Sequence, residues 1–218
     1  MKRYAFIDVH NTNSSATVLG FTIDPEKLFN YLKYDKWSCS DVFWYAGRIN
    51  SSKHEKEREK IENIGYKIKD KLTKFYKKLP ISTICPKCDY KFEYLAKGNK
   101  LPKANCDVEL TVDCLELAGP DTESLIFTGD GDFKYLIEKL ITKGSKVYLF
   151  STKGQDRLGD YRFSTRYDDL LKDGRVTFLE MNNLKHRLRK DLPEQSLADI
   201  STTNKETAAK RDGPERLI

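Results

Sequence analysis

The 218-residue chain contains no run of about 18 apolar residues, so its sequence offers no membrane-crossing helix. The opening MKRYAFIDV becomes a structured segment too soon to hold the apolar region of a secretion signal, and a cytoplasmic protein with no membrane partner is expected. Cysteine is sparse and odd in number. Cys39, Cys85, Cys88, Cys106 and Cys114 are scattered along the chain, unlike a secreted disulfide framework, and reduced thiols are expected. No internal repeat is evident. Charge of one sign does not dominate either: the formal net charge is +6 and the pI about 8.9, a mild basic excess that suits a polyanionic partner without requiring one.

What is present is a foldable core. Hydrophobic residues make up 39% of the chain and aromatics 11%, which excludes wholesale disorder. The length favours one domain over two. Residues 1–190 are read as that domain, with a hairpin excursion at 80–102, where CPKC, aromatics and Gly98-Asn99 cluster. The polar, aperiodic stretch 191–218 is expected to be a flexible tail.

Residues Arg3 to Val9 form an apolar run ending at an Asp, read as a buried strand followed by a polar loop, HNTNSS. Asp24-Pro25 opens a helix with Leu28, Phe29 and Leu32 at helical spacing, and DVFWYAGRI is a second strand. From Lys53 to Leu79 the apolar residues Ile61, Ile64, Ile68, Leu72 and Phe75 recur every three or four positions, which predicts one long amphipathic helix. DVELTVDCLELAG from Asp107 is a helix ending at Gly119-Pro120. SLIFT is a strand, GDGDF a tight turn, KYLIEKLITKG a helix, and KVYLFS and RVTFLE further strands. Alternating strands and helices predict an α/β fold with a mainly parallel sheet covered on both faces, whose ligands bind at the strands' carboxyl ends.

That topology brings chemistry together. Asp8 follows the first strand and Asp130 and Asp132 follow SLIFT, so parallel strands place three carboxylates at one sheet edge. Asp107, at a helix start, is a fourth. Carboxylates gathered without cations raise one another's pKa and remain costly anions. A hard divalent ion, Mg²⁺ or Mn²⁺, relieves that cost with oxygen ligands, keeps waters, and can activate one of them against a phosphate ester. The blander alternative is that Asp8 and Asp107 only cap helices and that the glycines of GDGD only supply unusual backbone angles.

Three blocks along residues 3–150 resemble the NYN domains, the LabA-like branch of the PIN-like nucleases. YAFIDVHN is similar to the family's strand followed by Asp-Gly-x-Asn, with Asp8 and Asn11 in the matching positions and Val9 in place of the usual Gly. KANCDVELTVDCLE resembles its Lys and Asp-Val block through Lys103, Asp107 and Asp113. LIFTGDGDFKYLIEKLITKGSKVYLF resembles its strand, Ser-Gly-Asp-x-Asp-Phe, helix and strand, with Thr128 keeping the hydroxyl of the usual Ser. The resemblance implies a PIN-like three-layer α/β/α sandwich and a metal-dependent ribonuclease acting on single-stranded RNA. It implies that Asp8, Asp107, Asp130 and Asp132 hold the metal and that Asn11 orients water or phosphate. Thr128, Asp113 and Lys103 would be supporting residues.

Basic residues expected near the mouth are Lys103, Lys134 and Arg48, which would make RNA binding salt-dependent, although solvated surface charge describes them equally well. Cys85-Pro-Lys-Cys88 looks like half of a structural zinc site whose second half is not obvious; Cys106 or Cys114, or a second chain as in a homodimer, would have to complete it. Cys106 and Cys114 lie about 12 Å apart along a helix, too far to chelate one ion together. His10 adjoins the site and is of a residue type suited to acid–base work, although such a residue more often only lines a loop; His54 and His186 carry no signature. Trp37, Trp44, Tyr31 and Tyr34 are better explained by packing than by base stacking, with Tyr90, Phe92 and Tyr94 the best exposed stacking candidates.

Two other functions compete. A haloacid dehalogenase-like phosphatase also starts with an Asp after a first strand, but needs a second Asp two positions on, where this chain has His10. A binding module that keeps the fold and has lost turnover is the stronger competitor, because fold and function are separable.

Overall fold

The computed structural model describes residues 1–77, 80–94 and 100–191. All of the expected tail 191–218 except Asp191, and the side chains of Tyr94 and Lys103, lie outside the described residues.

Six parallel strands form the central sheet: β1 (Lys2–Asp8), β2 (Asp41–Arg48), β3 (Lys67–Leu72), β8 (Thr122–Phe127), β9 (Lys146–Ser151) and β10 (Val176–Glu180). Their order is β10-β9-β8-β1-β2-β3, with every neighbouring pair parallel. Strands buried on both faces explain the unbroken apolar run of β1, whose alternate residues enter two different cores. Tyr4 and Phe6 join Ile126 and Leu149 in one, while Ala5 and Ile7 join Leu125 and Phe127 in the other.

The first core is covered by α4 (Asp107–Leu117), α5 (Lys134–Thr142) and α6 (Asp168–Lys172), through Leu110, Cys114, Leu136, Ile137, Leu140 and Leu170. The second is covered by α1 (Val9–Val18), α2 (Pro25–Asn30), α3 (Ser52–Ile64) and α7 (Lys185–Leu188), through Ala16, Leu28, Phe29 and Leu188. Helices on both faces of the sheet make the three-layer α/β/α sandwich.

Two sequence expectations are corrected. The stretch after Asp8 is not a loop: β1 passes directly into α1, because Asp8 caps that helix by accepting the Asn11 backbone N–H. Its polar side chains find partners, Thr12 donating to the Asp8 carbonyl at 2.6 Å and Ser15 meeting Ser151 at 3.3 Å. These hydroxyls satisfy helix and core together, so a helix with few apolar residues packs well.

Nor is 53–79 one helix. α3 stops at Gly65, whose φ of 115° few other residues tolerate. Lys67–Leu72 then runs as β3, where a period-two alternation sets Ile68, Asp70 and Leu72 opposite Lys67, Lys69 and Lys71. The lysines make the edge strand a poor template for pairing with another chain. Ion pairs join Lys67 to Asp41 and Lys71 to Glu109, each at 2.8 Å.

Beyond β3 the chain leaves the sheet through two antiparallel ladders. β4 (Lys74–Lys77) pairs with β7 (Lys100–Lys103), and β5 (Ile81–Ile84) with β6 (Lys91–Tyr94). Leu72 and Phe75, expected on a helical face, are 53% and 48% exposed. Among the described residues no helix is long and apolar enough to cross a membrane.

Candidate active site

The strand order reverses at β1, which has β8 on one side and β2 on the other. At the carboxyl ends of these strands lies a cleft of about 750 Å³, in the position where open parallel sheets bind ligands. Asp8, Asn11, Asp107 and Asp130 line it, with His10 and Tyr45 beside them.

Asp8 is 8% exposed and held from several directions. The Asn11 backbone N–H donates to its Oδ1 at 3.2 Å and the Asn11 side-chain amide to its Oδ2. The Thr128 hydroxyl approaches Oδ2 at 3.4 Å and accepts the Asp130 N–H at 3.3 Å. Thr128 thus ties the ends of β1 and β8 together, which is why a hydroxyl residue suits this position. Asp130 in turn accepts the Asp132 N–H at 3.0 Å, and its carbonyl accepts the Tyr167 hydroxyl.

Asp107 opens α4. Asn105 brackets it, accepting the Asp107 N–H at 2.7 Å and donating to Oδ2 at 2.6 Å. Burial raises the pKa of Asp107 above the ordinary carboxylate value. The Asn105 bond opposes the shift, and the charges of Asp8, Asp130 and Asp132 add to it.

Gly129 and Gly131 of the GDGD turn do not have positive φ. They are glycine because the turn packs against 162–164: a Cβ on Gly129 would strike the Arg162 carbonyl, and one on Gly131 the Ser164 hydroxyl. The Ser164 N–H donates to the Gly129 carbonyl at 2.9 Å across this contact.

Other expected site residues are placed differently. Asp132 stands at the rim, its side chain 79% exposed and paired with Arg166 at 2.8 Å. Asp113 faces the interior of the layer, accepting the Tyr45 hydroxyl at 2.8 Å with Lys69 at 3.6 Å. Arg48 is paired with Asp70 at 3.1 Å and Lys134 with Asp169 at 2.9 Å, so both cations already have carboxylate partners. Tyr31 is buried, Trp37 packs on Tyr148 and Trp44 on Tyr66, whereas Tyr34 and Tyr90 are 68% and 69% exposed.

Sequence reasoning missed Arg162 and Asp156, which line the cleft as an ion pair. Both sit between β9 and α6 in a segment with neither helical nor strand periodicity. The available signal was the cluster of charges in GQDRLGDYR just after a strand whose carboxyl end faces the site. Within the cleft wall, Arg162 Nε is buried without a hydrogen-bond partner among the described residues.

The donor set is chemically uniform: carboxylate and amide oxygens, which suit a hard divalent cation. Among the described residues no three His, Cys, Asp or Glu side chains form a ready-made metal cage. An open set of this kind fits an ion that keeps several waters better than one enclosed by protein.

A wholly parallel sheet between two helical layers, with Asp8, Asp107 and Asp130 lining one cleft at its carboxyl edge, defines a PIN-like α/β/α fold. The chain belongs to the NYN domain family, a family of PIN-like nucleases, whose model matches residues 3–165. It is 26% identical over 167 residues to the low amplitude and bright protein LabA of Synechococcus elongatus, covering 76% of this chain and 81% of LabA. Its fold is similar to that of VPA0982, a Vibrio parahaemolyticus protein of unknown function, with a TM-score of 0.55 and 20% identity over 83% of this chain and 92% of that one.

Proposed function

We propose that this protein is a metal-dependent ribonuclease that hydrolyses phosphodiester bonds of single-stranded RNA in the cleft at the carboxyl edge of the sheet. The observation that carries the reading is the convergence of Asp8, Asp107 and Asp130, from three separate parts of the chain, on one open cleft. The raised pKa of Asp107 adds support, because a cation would relieve the like charges responsible for part of it.

Asp8, Asp107 and Asp130 would hold Mg²⁺ or Mn²⁺, with Asp132 joining after release from Arg166. The bound ion supplies a water of lowered pKa and neutralises charge on the phosphate. Asn11 and Thr128 fix the Asp8 carboxylate, so its oxygens need no reorganisation when a ligand arrives. Arg162, paired with Asp156 in the cleft wall, would exchange that carboxylate for a substrate phosphate. Reaction in the cytoplasm is part of the proposal and agrees with five free cysteines.

Asp8→Asn tests the reading, since Asn retains the capping group of α1 and removes the charge. RNA cleavage should be lost while the thermal midpoint stays close to that of wild type. Equal cleavage by the two proteins would overturn the assignment. A second reading, an RNA-binding module without turnover, is favoured by one observation: Asp132 is turned away from the cleft by Arg166. RNA binding without cleavage under any divalent ion would select it.

A further inference from the structure

The β5–β6 hairpin carries a second chemical feature, independent of the acidic cleft. Its tip is Cys85-Pro86-Lys87-Cys88-Asp89-Tyr90. The Cys85 N–H donates to the Tyr90 carbonyl at 2.9 Å and the Asp89 N–H to the Cys85 carbonyl at 3.0 Å. Asp89 takes a φ of 56°, the left-handed conformation that turns the chain back tightly after Cys88. Both thiols are free, Cys85 half-buried and Cys88 exposed. Two free thiols separated by two residues in one tight turn offer half of the four-ligand set of a thiophilic ion.

A structural zinc site takes four protein ligands, and this loop supplies two. Among the described residues no third cysteine, histidine or carboxylate joins them in a metal-holding group. Cys39, Cys106 and Cys114 are buried in the main domain at 2%, 7% and 0% exposure, and the Cys106 thiol is directed at the Ala46 carbonyl at 3.5 Å. His54 is engaged with Ser51 at the start of α3, while His10 belongs to α1 and His186 to α7. These are all the remaining cysteines and histidines of the sequence.

The surroundings of the loop point to the same partner. Ile84 and Tyr90, which flank the two cysteines, are 59% and 69% exposed, and Ile81 is 44% exposed. A two-stranded hairpin is marginal in water unless its apolar side chains are covered. A second identical hairpin related by a twofold axis covers them and delivers two more thiolates in one step, since a twofold contact applies the same patch to itself.

We propose that Cys85 and Cys88 form half of a tetrathiolate zinc site completed by the same two residues of a second copy of this chain, so that the metal joins two chains into a homodimer. Zinc binding releases the thiol protons and couples metal loading to dimerisation.

The test uses the full chain, loaded with Zn²⁺ and freed of excess metal by gel filtration. Bound zinc is measured by elemental analysis and mass by light scattering, before and after EDTA. Cys88→Ser is carried alongside, with far-UV circular dichroism to show that it folds, and Co²⁺ replaces zinc to report the number of thiolates from its absorption spectrum. The expected result is one zinc per two chains, a dimer that becomes a monomer in EDTA, a tetrathiolate cobalt spectrum, and a folded, zinc-free monomer for Cys88→Ser. One zinc per monomer, no retained zinc, or a dimer that survives both EDTA and Cys88→Ser would overturn the proposal. Cys85→Ser must behave as Cys88→Ser does.

Discussion

Asn11 grips Asp8 twice, its backbone N–H reaching one carboxylate oxygen at 3.2 Å and its side-chain amide the other. The first contact caps α1 and the second fixes the rotation of the carboxylate. Asn11→Ala keeps the cap and frees the rotation. Cleavage at a fixed Mn²⁺ concentration should fall about 10- to 100-fold, the usual cost of removing an outer-sphere partner. A titration with Mn²⁺ should show weaker apparent metal affinity, and an unchanged titration with unchanged rate would assign Asn11 to capping alone.

Arg162, paired with Asp156, lines the acidic cleft, whereas Lys134, paired with Asp169, is not among the residues that line it. Arg162→Ala should weaken RNA binding and reduce the slope of log affinity against log salt by about 1, as removal of one phosphate contact does. Lys134→Ala should leave that slope unchanged. Fluorescence anisotropy with a labelled RNA at several salt concentrations separates the two.

Gly129 has no room for a methyl group against the Arg162 carbonyl, while a Cβ on Gly119 meets nothing within 4 Å. Gly129→Ala should lower stability by about 1–3 kcal/mol, the ordinary cost of overpacking, and should disturb the Asp130 turn. Gly119→Ala should be close to neutral. Urea denaturation of the pair reads this directly.

The thiols divide by environment. Burial pushes Cys39 up to about 12 and Cys106 up to about 11, and raises Cys114 as well, while backbone N–H donors lower Cys85. In EDTA near pH 8, a disulfide reagent should label Cys85 and Cys88 quickly and the other three only on unfolding. Raised folded-state pKa values also fix the sign of the pH dependence. The contribution of Cys39 and Cys106 to stability is complete below the unfolded thiol pKa of about 8.5. It is lost as the pH rises through their folded values. Thermal midpoints should therefore fall on the alkaline side, and Cys39→Ala should shrink that fall.

How far this could be read from the residues varies along the chain. The apolar runs of β1, β8 and β9 ending in Asp8, Thr128 and Ser151 were plain, because strands buried on both faces read as near-continuous apolar stretches. α1 was not, because its helicity rests on hydroxyls such as Thr12 and Ser15 that satisfy carbonyls and core partners, and no periodic apolar stripe records that. The change from α3 to β3 was hidden because Ile61, Ile64 and Ile68 fit helical spacing. Gly65 alone marked the break. Asp107 was recognisable at a helix start, but that Asn105 brackets it depends on a two-residue turn. Arg162 reaches the cleft only because the aperiodic segment after β9 folds back over the GDGD turn, and close packing of that kind leaves its trace in Gly129 and Gly131, not in Arg162 itself.

The central claim is tested most directly by incubating a panel of end-labelled single-stranded RNAs with Mn²⁺, Mg²⁺ or EDTA, with Asp130→Asn beside the wild type. The account predicts cleavage by wild type in either metal, none in EDTA and none by the folded variant. Wild-type protein that leaves every RNA intact in both metals, or Asp130→Asn that cuts as well as wild type, would contradict it.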